Sequence, residues 1–252
     1  MTKIAIIGDV GGCADQLAAA IRPLVDDEDT IVIQVGDLVD RGPDSAGVLA
    51  LVRERLDNAP HRWVQLIGNH EAQYLGGTAF WPHQLDPDDA DLLHGWWLKE
   101  RLRVAAAVRT ADGEEFLVTH AGLTVEAWQD LGAPVTAGTA ADLLNTRPDD
   151  LLWHFRGPLW AEAGPHVYQS WLQPDRPVPF GQIHGHSTIV NYRHGTWLCD
   201  ERVRQRTTVA WAARHTFTRM GGSRFIAVDP KHGTTGAPTW SPLILDNATL
   251  LT

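Results

Sequence analysis

Apolar residues in this chain arrive in short unbroken runs, each stopped by a glycine next to an acidic, amide or imidazole side chain. The first, Ile4-Ala5-Ile6-Ile7, runs into Gly8-Asp9-Val10-Gly11-Gly12. Such a run predicts a buried strand, and the glycines predict a sharp turn where it stops. Leu17, Ala20, Ile21 and Leu24 then recur at helical spacing. The order repeats with Ile31-Val32-Ile33-Gln34-Val35, the loop Gly36-Asp37-Leu38-Val39-Asp40-Arg41-Gly42, and a helix opened by Pro43 that carries Val48, Leu49, Val52 and Leu56. It repeats again with Trp63-Val64-Gln65-Leu66-Ile67, the loop Gly68-Asn69-His70-Glu71, and a helical start through Tyr74 and Leu75. Three strand, loop and helix units in succession predict right-handed crossovers and a largely parallel sheet.

Beyond them the pattern loosens. Residues 76–86, rich in Gly, Pro and Trp, predict a loop over the site. The stretch from Pro87 to about Leu102, acidic at its start and closed by Lys99, Arg101 and Arg103, predicts a helix with the charge order its dipole favours. Val104–Val108 and Glu115–Thr119 alternate around Ala111-Asp112-Gly113 and predict a hairpin that runs into His120-Ala121-Gly122-Leu123. Two short helices are expected in 124–150 and an irregular cap in 151–179. Later strands are expected at Phe180–Ile183, which leads into His184-Gly185-His186-Ser187, and at Thr196–Cys199 and Phe225–Val228. No repeat or boundary divides the chain, so the expectation is one α/β domain over 1–252, with rim segments at about 76–100 and 151–179.

Charge narrows the partners. Asp and Glu number 31 against 21 Lys and Arg, a formal net charge of −10. That balance argues against a nucleic-acid backbone or an anionic membrane as partner. Two cysteines, Cys13 and Cys199, are too few for a disulfide framework, and the apolar start is too short for a signal peptide, so a cytoplasmic location is expected. The 11 tryptophans are scattered, as core and cleft lining would be.

The loops carry the chemistry. Asp9, Asp37, Asn69, His120 and His186 each follow a predicted strand beside a glycine. Oxygen and imidazole donors on separate loops suit Mn, Fe or Zn, and a carboxylate shared by two such ions makes a hydrolytic site that activates water. Arg41 presents a planar donor fork suited to a phosphate.

Gly36-Asp37-Leu38-Val39-Asp40-Arg41-Gly42 and Gly68-Asn69-His70-Glu71 resemble the paired signatures of calcineurin-like metallophosphoesterases, in the phosphoprotein-phosphatase branch that includes bacterial diadenosine-tetraphosphatase-like and Shewanella-like phosphatases. Thr119-His120-Ala121-Gly122 and Gly185-His186-Ser187 resemble that branch's later motifs, and Gly157-Pro158-Leu159-Trp160 resembles an element of the Shewanella-like group. The resemblance implies a metallophosphoesterase-type mixed β-sandwich flanked by helices. It implies two divalent metals, with Asp37 shared, Asp9 on the first, and Asn69, His120 and His186 on the second. Arg41 would bind phosphate, and His70, paired with Asp40, would protonate the leaving oxygen.

One position departs from the pattern. The family's first motif has a metal-binding His where this chain has Gly11. His184, two residues before His186 on an extended strand, is the candidate replacement, with Cys13 more remote. A second phosphate-binding arginine is sought at Arg156 or Arg193. The expected activity is hydrolysis of a phosphate ester or phosphoanhydride on a small phosphorylated metabolite or nucleotide. The alternatives are a serine/threonine-type phosphoprotein phosphatase, and a degenerate protein that binds a phosphorylated ligand without turnover. In the cap, Trp153, Phe155, Trp160 and Trp171 are candidates to stack a base.

Overall fold

The structure is a computed structural model that describes residues 2–82, 84–172, 177–231 and 239–251. Positions 83 and 173–176 of the two expected rim segments lie outside the described residues. The first half contains β1 (Lys3–Ile7), α1 (Ala14–Val25), β2 (Thr30–Gln34), α2 (Ser45–Asn58), β3 (Trp63–Leu66), α3 (Asn69–Ala72), α4 (Pro87–Leu98), β4 (Leu102–Arg103), β5 (Ala105–Arg109) and β6 (Glu115–Thr119). Helices α5 (Val125–Asp130), α6 (Ala137–Asn145) and α7 (Asp149–Leu152) follow, then a π-helical turn at Ala163–Tyr168 that continues into α8 (Gln169–Trp171). The chain closes with β7 (Gly181–His184), β8 (Val190–Asn191), β9 (Thr196–Trp197), α9 (Glu201–Arg204), β10 (Thr207–Ala210), β11 (His215–Met220), β12 (Ser223–Ala227), β13 (Leu243–Asp246) and β14 (Thr249–Leu250).

Two mixed sheets form the centre. The first has the order β13-β1-β2-β3-β4 and the second β10-β11-β12-β7-β6-β5-β14. As the repeated units predict, β1, β2, β3 and β4 run parallel, while β13 closes the edge antiparallel to β1. In the second sheet β6, β7 and β12 are parallel and the outer strands antiparallel. Side chains alternate across each strand. Ile4, Ile6, Ile33, Val35, Val64 and Leu66 therefore pack against Val108, Phe116, Val118, Ile183 and Ile226 between the sheets, while Ala5, Ile7 and Val32 pack with Leu17, Ile21, Val48 and Val52 of the helices. Both faces of β1 are buried, which is why its sequence reads as a continuous apolar run rather than an alternating one.

Several boundaries differ from expectation. Pro43 lies outside α2, because Asp44 is the N-cap and its carboxylate accepts from Gly47 N–H at 2.7 Å. Helix α4 stops at Leu98. Glu100 turns left-handed at φ 57°, and Leu102–Arg103 then pairs with β3 instead of extending the helix. Arg101 reaches back to Asp57 at 2.5 Å. The irregular cap of 151–179 contains short helical turns. Its Trp171 is core, with its indole N–H donating to Leu123 O at 2.8 Å, so it is unavailable for stacking a ligand. No helix among the described residues is long and apolar enough to cross a membrane.

Candidate active site

The loops that follow β1, β2, β3, β6, β7 and β12 meet at one end of the two sheets. Loops 36–42 and 68–71 approach backbone to backbone. A Cβ on Gly36 would sit 2.4 Å from Gly68 N, and one on Gly68 would sit 2.2 Å from Asp37 N, so only glycine fits at either position. Glu71, fully buried, locks the pair together. Its Oε2 accepts from Asp37 N–H and Gly68 N–H at 2.8 Å each, and its Oε1 from Leu38 N–H at 2.7 Å and Val39 N–H at 3.3 Å. Burial and the nearby Asp37 push its pKa up to about 7 against the pull of those donors. Asp37, Asp40 and Arg41 all hold positive φ (55°, 67° and 57°), which turns their side chains inward on a tight loop.

Four side chains from different loops converge. Asn69 Oδ1 lies 3.0 Å from His120 Nε2 and 2.9 Å from His186 Nδ1, and Asp37 Oδ1 is 3.3 Å from His120 Nε2. His120 Nδ1 is 2.9 Å from Val35 O, an atom that can only accept, so the ring proton sits on Nδ1 and the Nε2 lone pair faces Asn69 and Asp37. Nε2, the amide oxygen and the carboxylate oxygen are all acceptors pointing at one another. That arrangement suits a cation among them, and one ligand atom each from Asp37, His120 and His186 lies within 4.8 Å of the others. Burial pushes the His186 pKa down to about 3 and lowers that of His120, which favours the neutral form a metal requires. Burial raises the Asp37 carboxyl, but His120, His70, Arg41 and His186 outweigh it and hold the group below the usual carboxylate range.

Beside this cluster, His70 Nδ1 lies 2.6 Å from Asp40 Oδ2 and its Nε2 lies 3.0 Å from Arg41 Nη2. A carboxylate accepts and a guanidinium donates, so in this arrangement His70 carries its proton on Nδ1. Arg41 Nη2 and His70 Nε2 are 3.8 and 3.9 Å from Asp37 Oδ2. Two residues that the sequence reading passed over support Asp40: Gln73 Nε2 donates to its Oδ2 at 2.9 Å and Tyr74 O–H to its Oδ1 at 3.5 Å. They also hold the chain on either side: Gln73 Oε1 accepts from Trp81 N–H at 3.2 Å and Tyr74 Oη from Leu85 N–H at 3.1 Å. Phe80 and Trp81 stand edge-on to His70 with ring centroids 5.0 and 5.2 Å away, and Trp160 stacks edgewise on Phe80 at 5.4 Å. Ala121 N–H donates to Pro158 O at 2.7 Å and ties Gly157-Pro158-Leu159-Trp160 to the His120 loop.

Asp9 lies on the other flank, where its Oδ1 accepts from His186 N–H at 2.8 Å. Burial, then Asp229 and Asp37, push its pKa well above the usual range. Asp229 and Lys231, which the sequence reading did not single out, complete this flank: Lys231 Nζ is 3.1 Å from Asp229 Oδ2. Burial raises the Asp229 carboxyl, and Lys231 more than reverses it. Asp229 follows β12 as Asp9 follows β1, so the same strand-end signal was available in the sequence.

His184 does not join the ligand cluster. Its Nε2 is engaged by Tyr168 O–H at 3.0 Å and its Nδ1 by Gly185 O at 3.0 Å. The period-two argument fails because β7 ends at His184 and His186 takes φ 60°, so the two side chains leave the strand end in different directions. Cys13 Sγ lies 3.5 Å from Gly11 O. Arg156 is turned to Glu126 at 3.5 Å and over the Phe155 ring, and Arg193 is exposed in the β8–β9 turn. Neither is brought to the histidines by any contact the structure records.

Residues 2–209 match the sequence profile of the calcineurin-like phosphoesterases. A segment is 40% identical over 76 residues to serine/threonine-protein phosphatase 1 of Salmonella typhimurium, covering 29% of this chain and 32% of that protein. Another is 32% identical over 152 residues to the symmetrical bis(5'-nucleosyl)-tetraphosphatase of Photorhabdus laumondii, covering 56% of this chain and 51% of that protein. The chain thus spans between a third and a half of the length of these curated relatives. Among solved structures, the cold-active protein-tyrosine phosphatase of a psychrophilic Shewanella superposes with a TM-score of 0.59 at 19% identity, covering 100% of this chain and 81% of that one. The fold agrees, and the profile runs through five of the six loops that build the site. The chain belongs to the calcineurin-like phosphoesterase family.

Proposed function

We propose that this protein hydrolyses a phosphate ester or phosphoanhydride with metal-activated water, and that its substrate is a nucleotide or another small phosphorylated metabolite. One observation carries the reading: the Arg41 guanidinium fork and the carboxylate-buttressed His70 lie within 4 Å of Asp37 Oδ2, while Oδ1 of the same carboxylate faces His120 in the ligand cluster. Asp37, Asn69, His120 and His186 would hold a divalent cation, of which Mn, Fe and Zn suit the donors. Asp9 would contribute to any second ion. When bound, the metal supplies a water of lowered pKa as the nucleophile.

The chain's own residues do the rest. Arg41 directs its fork to phosphate oxygens. A phosphate that engages Arg41 withdraws its N–H from His70 Nε2, which frees that nitrogen to take a proton from solvent and pass it to the departing oxygen while Asp40 holds the proton on Nδ1. Phe80 and Trp81 flank His70 and Trp160 stands against Phe80, so the leaving group departs along an aromatic wall. That wall supports a flat leaving group such as a nucleoside, and a relative named as a tetraphosphatase supports it further. The rim is assigned to segments 76–100 and 151–179, which carry these three aromatics. The two-cysteine composition supports a reducing cytoplasm as its location.

The test is release of inorganic phosphate in the presence of Mn²⁺ from dinucleoside tetraphosphates, nucleotides, sugar phosphates and phosphopeptides, for wild type and Asp37→Asn. Turnover of a nucleotide that is absent in the variant is the expected result. Preference for phosphopeptides would transfer the site to a protein phosphatase. Silence on every substrate would leave a binding protein.

A further inference from the structure

On the Asp9 flank the chain itself supplies a cation. Lys231 Nζ lies 3.1 Å from Asp229 Oδ2 and donates to His186 O at 3.2 Å, while the N–H of the same His186 donates to Asp9 Oδ1 at 2.8 Å. The ammonium and the Asp9 carboxylate therefore sit at the two polar ends of a single residue. Lys231 N–H donates to Asp229 Oδ1 at 2.8 Å, so one carboxylate grips the lysine by both backbone and side chain. Asp9 and Lys231 each feel the other's charge.

The contrast with the Asp37 cluster is one of donor chemistry. There, acceptors from four loops face one another, and the Arg41 guanidinium stands to one side, 3.8 Å from Asp37 Oδ2. Here, the Asp229 carboxylate already faces an ammonium. The Asp9 flank also lacks a side chain where a further ligand would stand. Gly11 stands there at φ 52°, a backbone that L side chains rarely adopt, although a Cβ would meet only the Arg41 stem at 3.7 Å.

We propose that the Lys231 ammonium occupies the charge position of a second metal beside Asp9, so that the site takes one divalent cation, at Asp37, Asn69, His120 and His186, and excludes another. The inference rests on the metal-site reading above and refines its stoichiometry.

Equilibrium dialysis against Mn²⁺ with metal analysis tests it, read together with the Mn–Mn coupling in electron paramagnetic resonance spectra and with thermal melts of each variant. Wild type should bind one Mn²⁺ per chain, with uncoupled spectra, and Lys231→Arg should do the same. Lys231→Gln keeps a donor for His186 O without the charge and should bind two, as should Lys231→Met. Two ions on wild type, or one on folded Lys231→Gln and Lys231→Met, would overturn the inference and leave the metal site standing. No bound Mn²⁺ on wild type, or unchanged binding by Asp37→Asn, would instead overturn the metal-site reading and the inference with it.

Discussion

The Asp37 side of the site and the Asp9 side are built from the same kinds of loop and differ in where positive charge comes from. On the Asp37 side, adjacent parallel strands deliver Asp37, Asp40, Arg41, Asn69, His70 and Glu71, and hydrogen bonds of Glu71 to Asp37 N–H, of His70 N–H to Asp37 and of His70 to Asp40 tie the two loops together. What that side leaves facing inward is a set of lone pairs. On the Asp9 side, β1, β7 and β12 deliver Asp9, His186, Asp229 and Lys231; an internal ammonium meets Asp229, and Asp9 takes the His186 N–H. Acceptor groups alone make a metal socket, and the same groups beside a lysine make a salt-bridge network.

The sharpest way to break this comparison is Asp37→Asn. It removes the charge that the socket depends on, so bound metal and phosphate release should both fall to background, measured by metal analysis and a phosphate assay. Next in size is His70→Ala, which should keep its metal and lose roughly two to four orders of magnitude in kcat, since it removes a proton donor and no ligand. Loss of metal in that variant would place His70 in the socket instead. A smaller effect is expected of Gln73→Ala. It frees Asp40 Oδ2 from one donor and Trp81 from one anchor, for about 1 kcal/mol of stability and a several-fold rise in KM, read by denaturant titration and steady-state kinetics.

The smallest effect on the metal is expected of His184→Gln, which should leave stoichiometry unchanged and flatten the fall of stability on acidification. Burial lowers the His184 pKa to about 4, from an unfolded value near 6.5. Its neutral form therefore contributes stability that is fully present above about pH 6.5 and is lost as the pH falls toward 4, because the unfolded chain binds the proton that the folded one refuses. Unfolding free energies of wild type and variant at pH 7 and pH 5 should converge at the lower pH.

The Asp37 side was legible in the sequence because its partners are contiguous. Once the runs at 31–35 and 63–67 are neighbouring strands, Asp37 to Arg41 and Asn69 to Glu71 must meet at their shared end. The Asp9 side was less legible because its partners lie far apart, with 177 residues separating Asp9 from His186. Asp229 gave a signal that the reading did not use, whereas nothing local marks Lys231. His184 misled because alternation holds only inside a strand. Strands β10 and β11 were missed for a related reason: Thr207-Thr208 and Thr216-Phe217-Thr218 are threonine-rich, so no apolar run announces them. Leu243–Asp246 is a sheet edge whose pairing with β1 spans almost the whole chain.

The four amide hydrogens gathered by Glu71 have a consequence for how the socket is prepared. Converging amides of this kind form a natural cradle for an anion. Here a carboxylate of the protein already fills it, so an incoming phosphate is not drawn beneath the loop and is left to Arg41. The loop is thereby set before any ion arrives. Chelation should empty the socket without reshaping it, and the amides of Asp37, Leu38 and Gly68 should exchange with deuterium equally slowly before and after metal is stripped.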